Sequence, residues 1–162
     1  MKKIVSVIMT LMMVLAMGIP ATAESVTNAP TELPDGVYYL EDGSYFVTET
    51  FVSDAQTRAV SAETYSRVTT YYDKNDVAQC ALEVIGTFEI NYGVSVTCTN
   101  VTGNYYFYVD GWSVENLSKS SSSGSTATAT ASCEFVKKVL FITTARIPVT
   151  VSINVDKYGN TY

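Results

Sequence analysis

The alternation of apolar and polar side chains along 126–135 constrains the fold of this chain more than any other feature. The apolar or thiol side chains are Ala127, Ala129, Ala131, Cys133 and Phe135, and the hydroxyl side chains between them are Thr126, Thr128, Thr130 and Ser132. Successive side chains of a β-strand point to opposite faces, so this pattern predicts a strand with one buried face and one polar face. The segment 77–90 has the same period of two, with Cys80, Leu82, Val84, Phe88 and Ile90 on one face.

Further short strands are predicted from the remaining β-branched and aromatic segments. They are 63–72, 94–102, 139–144 and 147–155, with turns at 73–76, 91–93 and Lys137-Lys138, and the serine-rich tract 118–125 is predicted to be a long loop. No segment after residue 23 has the period of an amphipathic helix. Short strands at regular spacing without helices predict an all-β domain, an antiparallel β-sandwich over 59–162.

Residues 1–23 are predicted to be a signal peptide that is cleaved after Ala23. Two lysines give a basic start, an apolar run follows over 4–17, and Ala21 and Ala23 are small residues at the cleavage site. The apolar run is shorter than the ~20 residues that span a bilayer. Secretion is therefore expected, without a membrane partner after cleavage.

The segment 24–58 is acidic and forms a separate unit of the predicted organisation. It carries seven acidic residues before its one basic residue, Arg58. Aromatic and β-branched residues flank Asp42-Gly43, which predicts a β-hairpin. Two alternatives stay open: the hairpin docks permanently as extra strands, or 24–58 is a propeptide that is removed by cleavage near Arg58.

Several kinds of chemistry are excluded or disfavoured by composition. The chain has no histidine, which rules out Ser-His-Asp and Cys-His catalysis, and its three cysteines lack zinc-site spacing. Glu83 and Glu89, on one face of a predicted strand, would lie roughly 20 Å apart, too far for the carboxylate pair of a glycoside hydrolase. The net charge is −6, and after residue 23 basic residues cluster only at Lys137-Lys138, which disfavours a nucleic-acid partner. No cofactor and no metal are expected.

The aromatic run 105–108 is the candidate binding surface. Tyr106 and Tyr108 point to the same side of an extended chain, and Trp112 follows closely. Exposed aromatic rings can stack on sugars or anchor a protein partner. The alternative is that one pair of the run fills the core while the other covers a neighbouring strand.

The strand and turn motifs resemble those of a group of small exported proteins of Firmicutes, especially of gut species. The resemblance rests on Gly86-Thr87-Phe88, Cys98-Thr99, Trp112 and the alternating Ala-Thr run within 123–131, and it covers most of 33–159. It implies an immunoglobulin-like sandwich and no particular activity. The group has a cysteine near the end of its last strand, where this chain has Val155.

The three cysteines allow one disulfide and leave one thiol. Cys80 and Cys98 would lie roughly 20 Å apart along a hairpin, out of bonding reach. The resemblance implies that Cys98 lies beside Val155, which disfavours Cys98–Cys133 and favours a Cys80–Cys133 disulfide with Cys98 as the free thiol. Three buried, inert thiols are the alternative.

These features predict a secreted, monomeric, non-enzymatic binding module with a protein or glycan ligand. An alternative is a secreted proprotein that is processed near Arg58 to an effector domain. A carboxylate-dependent hydrolase is the third hypothesis.

Overall fold

The computed structural model describes residues 24–25, 35–52 and 60–162, and almost all of them lie in β-strands or tight turns. The strands are β1 Glu24–Ser25, β2 Gly36–Tyr39, β3 Tyr45–Val52, β4 Val60–Tyr72, β5 Ala78–Asn91, β6 Ser95–Phe107, β7 Trp112–Gly124, β8 Thr126–Val139 and β9 Ile142–Asp156. No helix long and apolar enough to cross a membrane occurs within these ranges. The signal cleavage residues Ala21 and Ala23 and the processing residue Arg58 lie outside them.

Strands β2 to β9 form one antiparallel sheet in which each strand pairs with its neighbours in sequence. The sheet curls so that its two halves face each other, and β5 contacts β8 and β9 across the interior. The seam between the halves is short, because β6 and β7 pair only at Val96↔Gly124 and Thr97↔Ser123. The two-residue β1 pairs in parallel with β9 at the opposite edge.

The all-β class is confirmed, but the immunoglobulin-like arrangement is not. An immunoglobulin sandwich has Greek-key connections, which place strands side by side that are not consecutive in sequence. Here every antiparallel ladder joins consecutive strands, which makes the sheet a continuous meander. The alternation that predicted the strands specifies which face is buried, and it carries no information about which strands are neighbours.

The core lies between the two halves and is made by the alternating apolar side chains of β4, β5, β8 and β9. Tyr65 and Phe88 meet edge to face with ring centroids 5.7 Å apart, and both are buried. Gly86 lets β5 approach β8 closely, since a Cβ atom built on it would lie 2.7 Å from the Cβ of Ala129. Within the described ranges, every buried side-chain nitrogen and oxygen has a hydrogen-bond partner.

Two local predictions are wrong. The serine-rich tract belongs to strand β7 rather than to a loop, and it pairs with β8, where the hydroxyls of Ser118 and Ser132 are 2.7 Å apart. Lys137-Lys138 lies within β8, and the turn comes later, at Leu140-Phe141. The two predicted strands 139–144 and 147–155 are consequently replaced by one continuous β9 that begins at Ile142, while Val139 ends β8. The serines lie on an exposed part of β7, which pairs with β8 along most of its length and with β6 only at Ser123 and Gly124.

The predicted N-terminal hairpin is present as β2 and β3 and is joined to the main sheet. Its turn is closed by a hydrogen bond from the backbone N–H of Leu40 to the carbonyl of Ser44. β3 pairs with β4 along its whole length, and Phe46 is buried in the core. The segments before and after residue 58 therefore share one hydrophobic core.

Candidate binding face

The outer face of β2–β6 carries a group of tyrosines near the end of the sheet where β2 turns into β3 and β4 into β5. The tyrosine face comprises Tyr39, Tyr45, Tyr72, Tyr106 and Tyr108 together with Glu83 and Asn104. Side-chain parity explains the grouping, since the buried residues of β3 and β4 alternate with these tyrosines and point inward. Tyr39, Tyr106 and Tyr108 are exposed, whereas Tyr45 and Tyr72 are half-buried.

Three of the tyrosines form a continuous row across β2, β3 and β4, in which Tyr45 and Tyr72 are stacked and the Tyr39 ring is tilted by 43° against Tyr45. Tyr45 and Tyr72 are directly paired across the strands, and their rings are parallel within 4° with centroids 4.9 Å apart. Tyr39 continues the row, with its ring centroid 5.3 Å from that of Tyr45. Neighbouring strands are about 4.8 Å apart, so the row makes an aromatic strip about 10 Å wide.

Tyr106 is held in place by a polar group on the neighbouring strand. Its hydroxyl donates to Oε2 of Glu83 at 2.6 Å, and Nδ2 of Asn104 donates to the same oxygen at 3.1 Å. The hydrogen bond to Glu83 raises the pKa of the Tyr106 hydroxyl, so this hydroxyl is neutral at physiological pH. The arrangement places an aromatic ring, a carboxylate and an amide side by side on an accessible surface.

The aromatic run divides between the two faces of β6, as its parity predicts, but all four rings are exposed. Tyr105 and Phe107 point to the inner side and pack together with centroids 5.4 Å apart. Phe107 also meets the buried Phe135 edge to face at 6.0 Å. They remain exposed because β7 pairs with β6 only at the far end of both strands, which leaves this side of the interior open.

Trp112 is not brought to the tyrosine face. It packs against the core and meets Tyr71 edge to face at 6.1 Å. Its indole N–H donates to Oε1 of Gln79 at 3.3 Å, and the ammonium of Lys137 lies 5.2 Å from the ring centroid. Trp112 therefore closes the core at the turn between β6 and β7 and is separate from the predicted partners Tyr106 and Tyr108.

The predicted Cys80–Cys133 disulfide is not formed, and all three thiols are free. Cys80 and Cys133 nevertheless lie in the same core cluster. Burial raises the pKa of the Cys80 thiol, and the nearby Cys133 thiol raises it further. Cys98, half-buried on β6, lies opposite Phe88, eight residues from Cys80 along β5, which keeps Cys80 and Cys98 apart.

We expect the reduced protein to lose stability at alkaline pH because of its two buried thiols. Burial raises the pKa of Cys133 to about 12, so the folded state keeps a proton that the unfolded chain loses above a pKa of 9.0. The free energy of unfolding should therefore fall as pH rises past 9, by about 1 kcal/mol per buried thiol at pH 10. Urea unfolding at pH 8 and pH 10 under reducing conditions measures this loss.

The matched control is the Cys80→Ala/Cys133→Ala variant, which should lose less stability between the two pH values. An identical loss in both proteins would mean that other groups, such as buried tyrosines, are responsible. A Cys80–Cys133 disulfide formed under oxidising conditions would also remove the two thiol contributions, so the oxidised wild type should resemble the variant.

A concave feature lies on the other half of the sheet. It is an open depression lined by Asn116, Ser132, Cys133, Glu134, Pro148, Val149 and Thr150. The carboxylate of Glu134 already accepts from Arg146 at 2.8 Å. The depression therefore presents few polar groups that are not already engaged, and the tyrosine face is the stronger candidate site.

Sequence reasoning found Tyr106 and Tyr108 but missed Tyr39, Tyr45 and Tyr72. The missing signal is the register between strands, which places Tyr39 opposite Tyr45 and Tyr45 opposite Tyr72. The alternation within the hairpin already indicates that Tyr39 and Tyr45 point to the face opposite the buried Phe46. A search for tyrosines of equal parity on adjacent strands could have joined them.

The function of this face has to be inferred from its own side chains. Glu83 is the one carboxylate of the tyrosine face, and Glu89 lies six residues from it along β5, roughly 20 Å away. Comparison with protein-family models, with curated proteins and with solved structures finds no match to this chain.

Proposed function

We propose that this chain is a secreted, non-enzymatic carbohydrate-binding module whose ligand lies on the tyrosine face. Secretion is supported by the basic, apolar and small-residue sequence of 1–23. The single observation that carries the binding role is the placement of five tyrosines on one outer face beside Glu83 and Asn104, with Tyr39, Tyr106 and Tyr108 exposed.

A carbohydrate fits this surface because its chemistry matches both kinds of group present. A sugar ring has an apolar face of C–H groups that can lie on an aromatic ring, and a rim of hydroxyls that need hydrogen-bond partners. Tyrosine combines an apolar ring with a polar tip. The Glu83 carboxylate and the Asn104 amide supply an acceptor and a donor beside Tyr106.

The dimensions favour an extended oligosaccharide over a single sugar. Tyr72 and Tyr106 belong to strands two places apart, and the register offsets them by about two residues, so their Cα atoms lie roughly 12 Å apart. Between them the floor is made of the small side chains of Ala78 and Ala81. A chain of several sugar units could contact both aromatic groups at once.

The proposal predicts that Tyr106→Ala weakens glycan binding about tenfold, because it removes a stacking ring and leaves the Glu83 carboxylate without its hydroxyl donor. A glycan array identifies the ligand, and calorimetry compares wild type with the variant. Tyr39→Ala should weaken the binding of long oligosaccharides more than that of short ones, since Tyr39 lies at the far end of the tyrosine row.

Tyr92→Ala is the matched control, because Tyr92 is equally a surface tyrosine but lies in the turn between β5 and β6, at the opposite end of the sheet. This variant should bind like wild type. Absence of binding to any glycan, or an equal loss in Tyr92→Ala, would contradict the proposal. A protein ligand captured through Tyr106 would instead assign the same face to protein recognition.

A further inference from the structure

The turn between β8 and β9 exposes four consecutive large apolar side chains. The apolar tip consists of Val139, Leu140, Phe141 and Ile142, and all four are exposed, with Leu140 at 85% and Phe141 at 101% of full accessibility. Val139 and Ile142 pair as the last residues of the ladder, so Leu140 and Phe141 alone make the turn. A soluble surface rarely presents so many apolar residues together without a partner.

The turn has a backbone conformation that does not suit its residues. Leu140 and Phe141 have φ angles of 47° and 70°. A two-residue hairpin turn with two positive φ angles is of type I′, for which asparagine and glycine are favoured because bulky side chains rarely adopt this region. Strained backbone of this kind clusters at functional sites. Leucine and phenylalanine are thus present despite the turn geometry, which points to a use for their side chains.

The shape of the tip determines what can cover it. Four successive side chains at the end of a hairpin point to both faces of the ribbon and beyond its end, so a flat protein surface would cover only part of them. The hydrocarbon boundary of a bilayer surrounds an inserted tip on all sides. Val139 and Ile142 are paired in the ladder, so Leu140 and Phe141 are the part of the hairpin that lies beyond it.

The charges behind the tip are balanced in sign. They are Lys137, Lys138 and Arg146 against Asp110, Glu115 and Glu134. Lys138 lies 3.8 Å from Glu115, and Arg146 lies 3.1 Å from Glu115 and 2.8 Å from Glu134. The whole chain carries a net charge of −6, which disfavours an anionic surface. A headgroup layer with paired positive and negative charges is the matching partner.

We propose that the apolar tip inserts Leu140 and Phe141 into the boundary between headgroups and acyl chains of a zwitterionic phospholipid bilayer. The β8–β9 hairpin then anchors the protein reversibly at the membrane surface. Tyr108, exposed in the neighbouring turn, lies at the same end of the sheet, where an amphipathic ring is favoured at the headgroup level. The expectation of no membrane partner rests on the absence of an apolar segment long enough to span a bilayer. A hairpin tip that binds at the membrane surface does not need such a segment.

The test is co-sedimentation of the full chain with phosphatidylcholine vesicles. The Leu140→Asn/Phe141→Gly variant should reduce the partition coefficient at least about tenfold, because it removes the two apolar side chains that would enter the bilayer. The same variant should raise the thermal midpoint or leave it unchanged, since asparagine and glycine suit the turn. A loss of binding with a stable fold separates insertion from misfolding.

Val94→Asn is the control, since Val94 is an exposed apolar residue in the turn between β5 and β6, at the other end of the sheet. It should bind vesicles like wild type. Tyr106→Ala should also bind normally, which distinguishes this proposal from carbohydrate recognition on the tyrosine face.

Three results would overturn the proposal. The first is no sedimentation of wild type with phosphatidylcholine vesicles. The second is binding that requires phosphatidylglycerol and disappears in high salt, which would indicate a basic surface instead of an apolar anchor. The third is lipid-free self-association that the Leu140→Asn/Phe141→Gly variant abolishes, which would show that a second copy of the chain covers the tip.

Discussion

Gly86→Ala is expected to lower the free energy of unfolding by about 3 kcal/mol, as overpacking of a tight core does. A Cβ atom at this position would lie 2.5 Å from Cε2 of Phe88 and 2.7 Å from the Cβ of Ala129. Neither neighbour can move easily, because Phe88 is fully buried against Tyr65 and Ala129 belongs to the backbone-paired strand β8. Urea unfolding at 25 °C measures the difference.

A double-mutant cycle with Ala129→Gly identifies the cause of this loss. Ala129→Gly alone should cost about 1 kcal/mol, since glycine weakens a strand interior. The double variant should be more stable than the sum of the two losses by about 1 kcal/mol or more, because removing the Ala129 methyl group makes room for the new one. Strict additivity would show that the approach of β5 to β8 does not limit residue size at position 86.

Arg67→Met is expected to lower the free energy of unfolding by about 2–3 kcal/mol, the typical worth of a buried hydrogen bond to a charged group. The guanidinium is buried on β4 and donates from Nη1 to the carbonyl of Ser152 at 2.6 Å and from Nε to Oγ1 of Thr50 at 2.6 Å. These bonds tie β4 to β9 and to β3. Methionine fills similar space but leaves the buried Ser152 carbonyl without this donor.

The control for Arg67 is Asp35→Asn. Asp35 lies 3.4 Å from Nε of Arg67, but its side chain is 52% exposed. Solvent screens such a pair, so its loss should cost less than about 1 kcal/mol. Replacement of a buried charge by a hydrophobic side chain can be neutral. If Arg67→Met is as stable as wild type, the bond to Ser152 does not stabilise the fold.

The sequence predicts a strand where one face of that strand is buried. It does not predict a strand where both faces are exposed. The alternation along 126–135 predicted most of β8, and 77–90 predicted β5 within one residue at each end. The serine-rich part of β7 has no apolar face, because it is exposed on both sides at the open seam. Its strand conformation comes from pairing with β8, a tertiary contact that the local pattern of apolar and polar residues does not predict.

Only part of the candidate site could be predicted from the sequence, for a related reason. Tyr106 and Tyr108 are two residues apart in one extended segment, so their side chains point to the same side and could be grouped from the sequence alone. Tyr72 joins Tyr45 only through the register of β3 with β4. The placement of Trp112 in the core depended on Gln79 and Lys137, which no spacing rule connects to it. Side chains that meet across strands need the topology, which the alternation leaves undetermined.

The strictly sequential order of the strands has a consequence for how this chain acquires its structure. Each strand from β3 to β9 finds its partner immediately before it in the sequence. Each ladder except that of β6 with β7, which pair only at Val96↔Gly124 and Thr97↔Ser123, can therefore close as a hairpin, which keeps the entropic cost of each such step low. In a Greek-key sandwich, an early strand stays unpaired until a strand that is distant in sequence has been synthesised. This chain can extend its sheet one strand at a time in the order of synthesis, and its late step is the docking of β9 against β4.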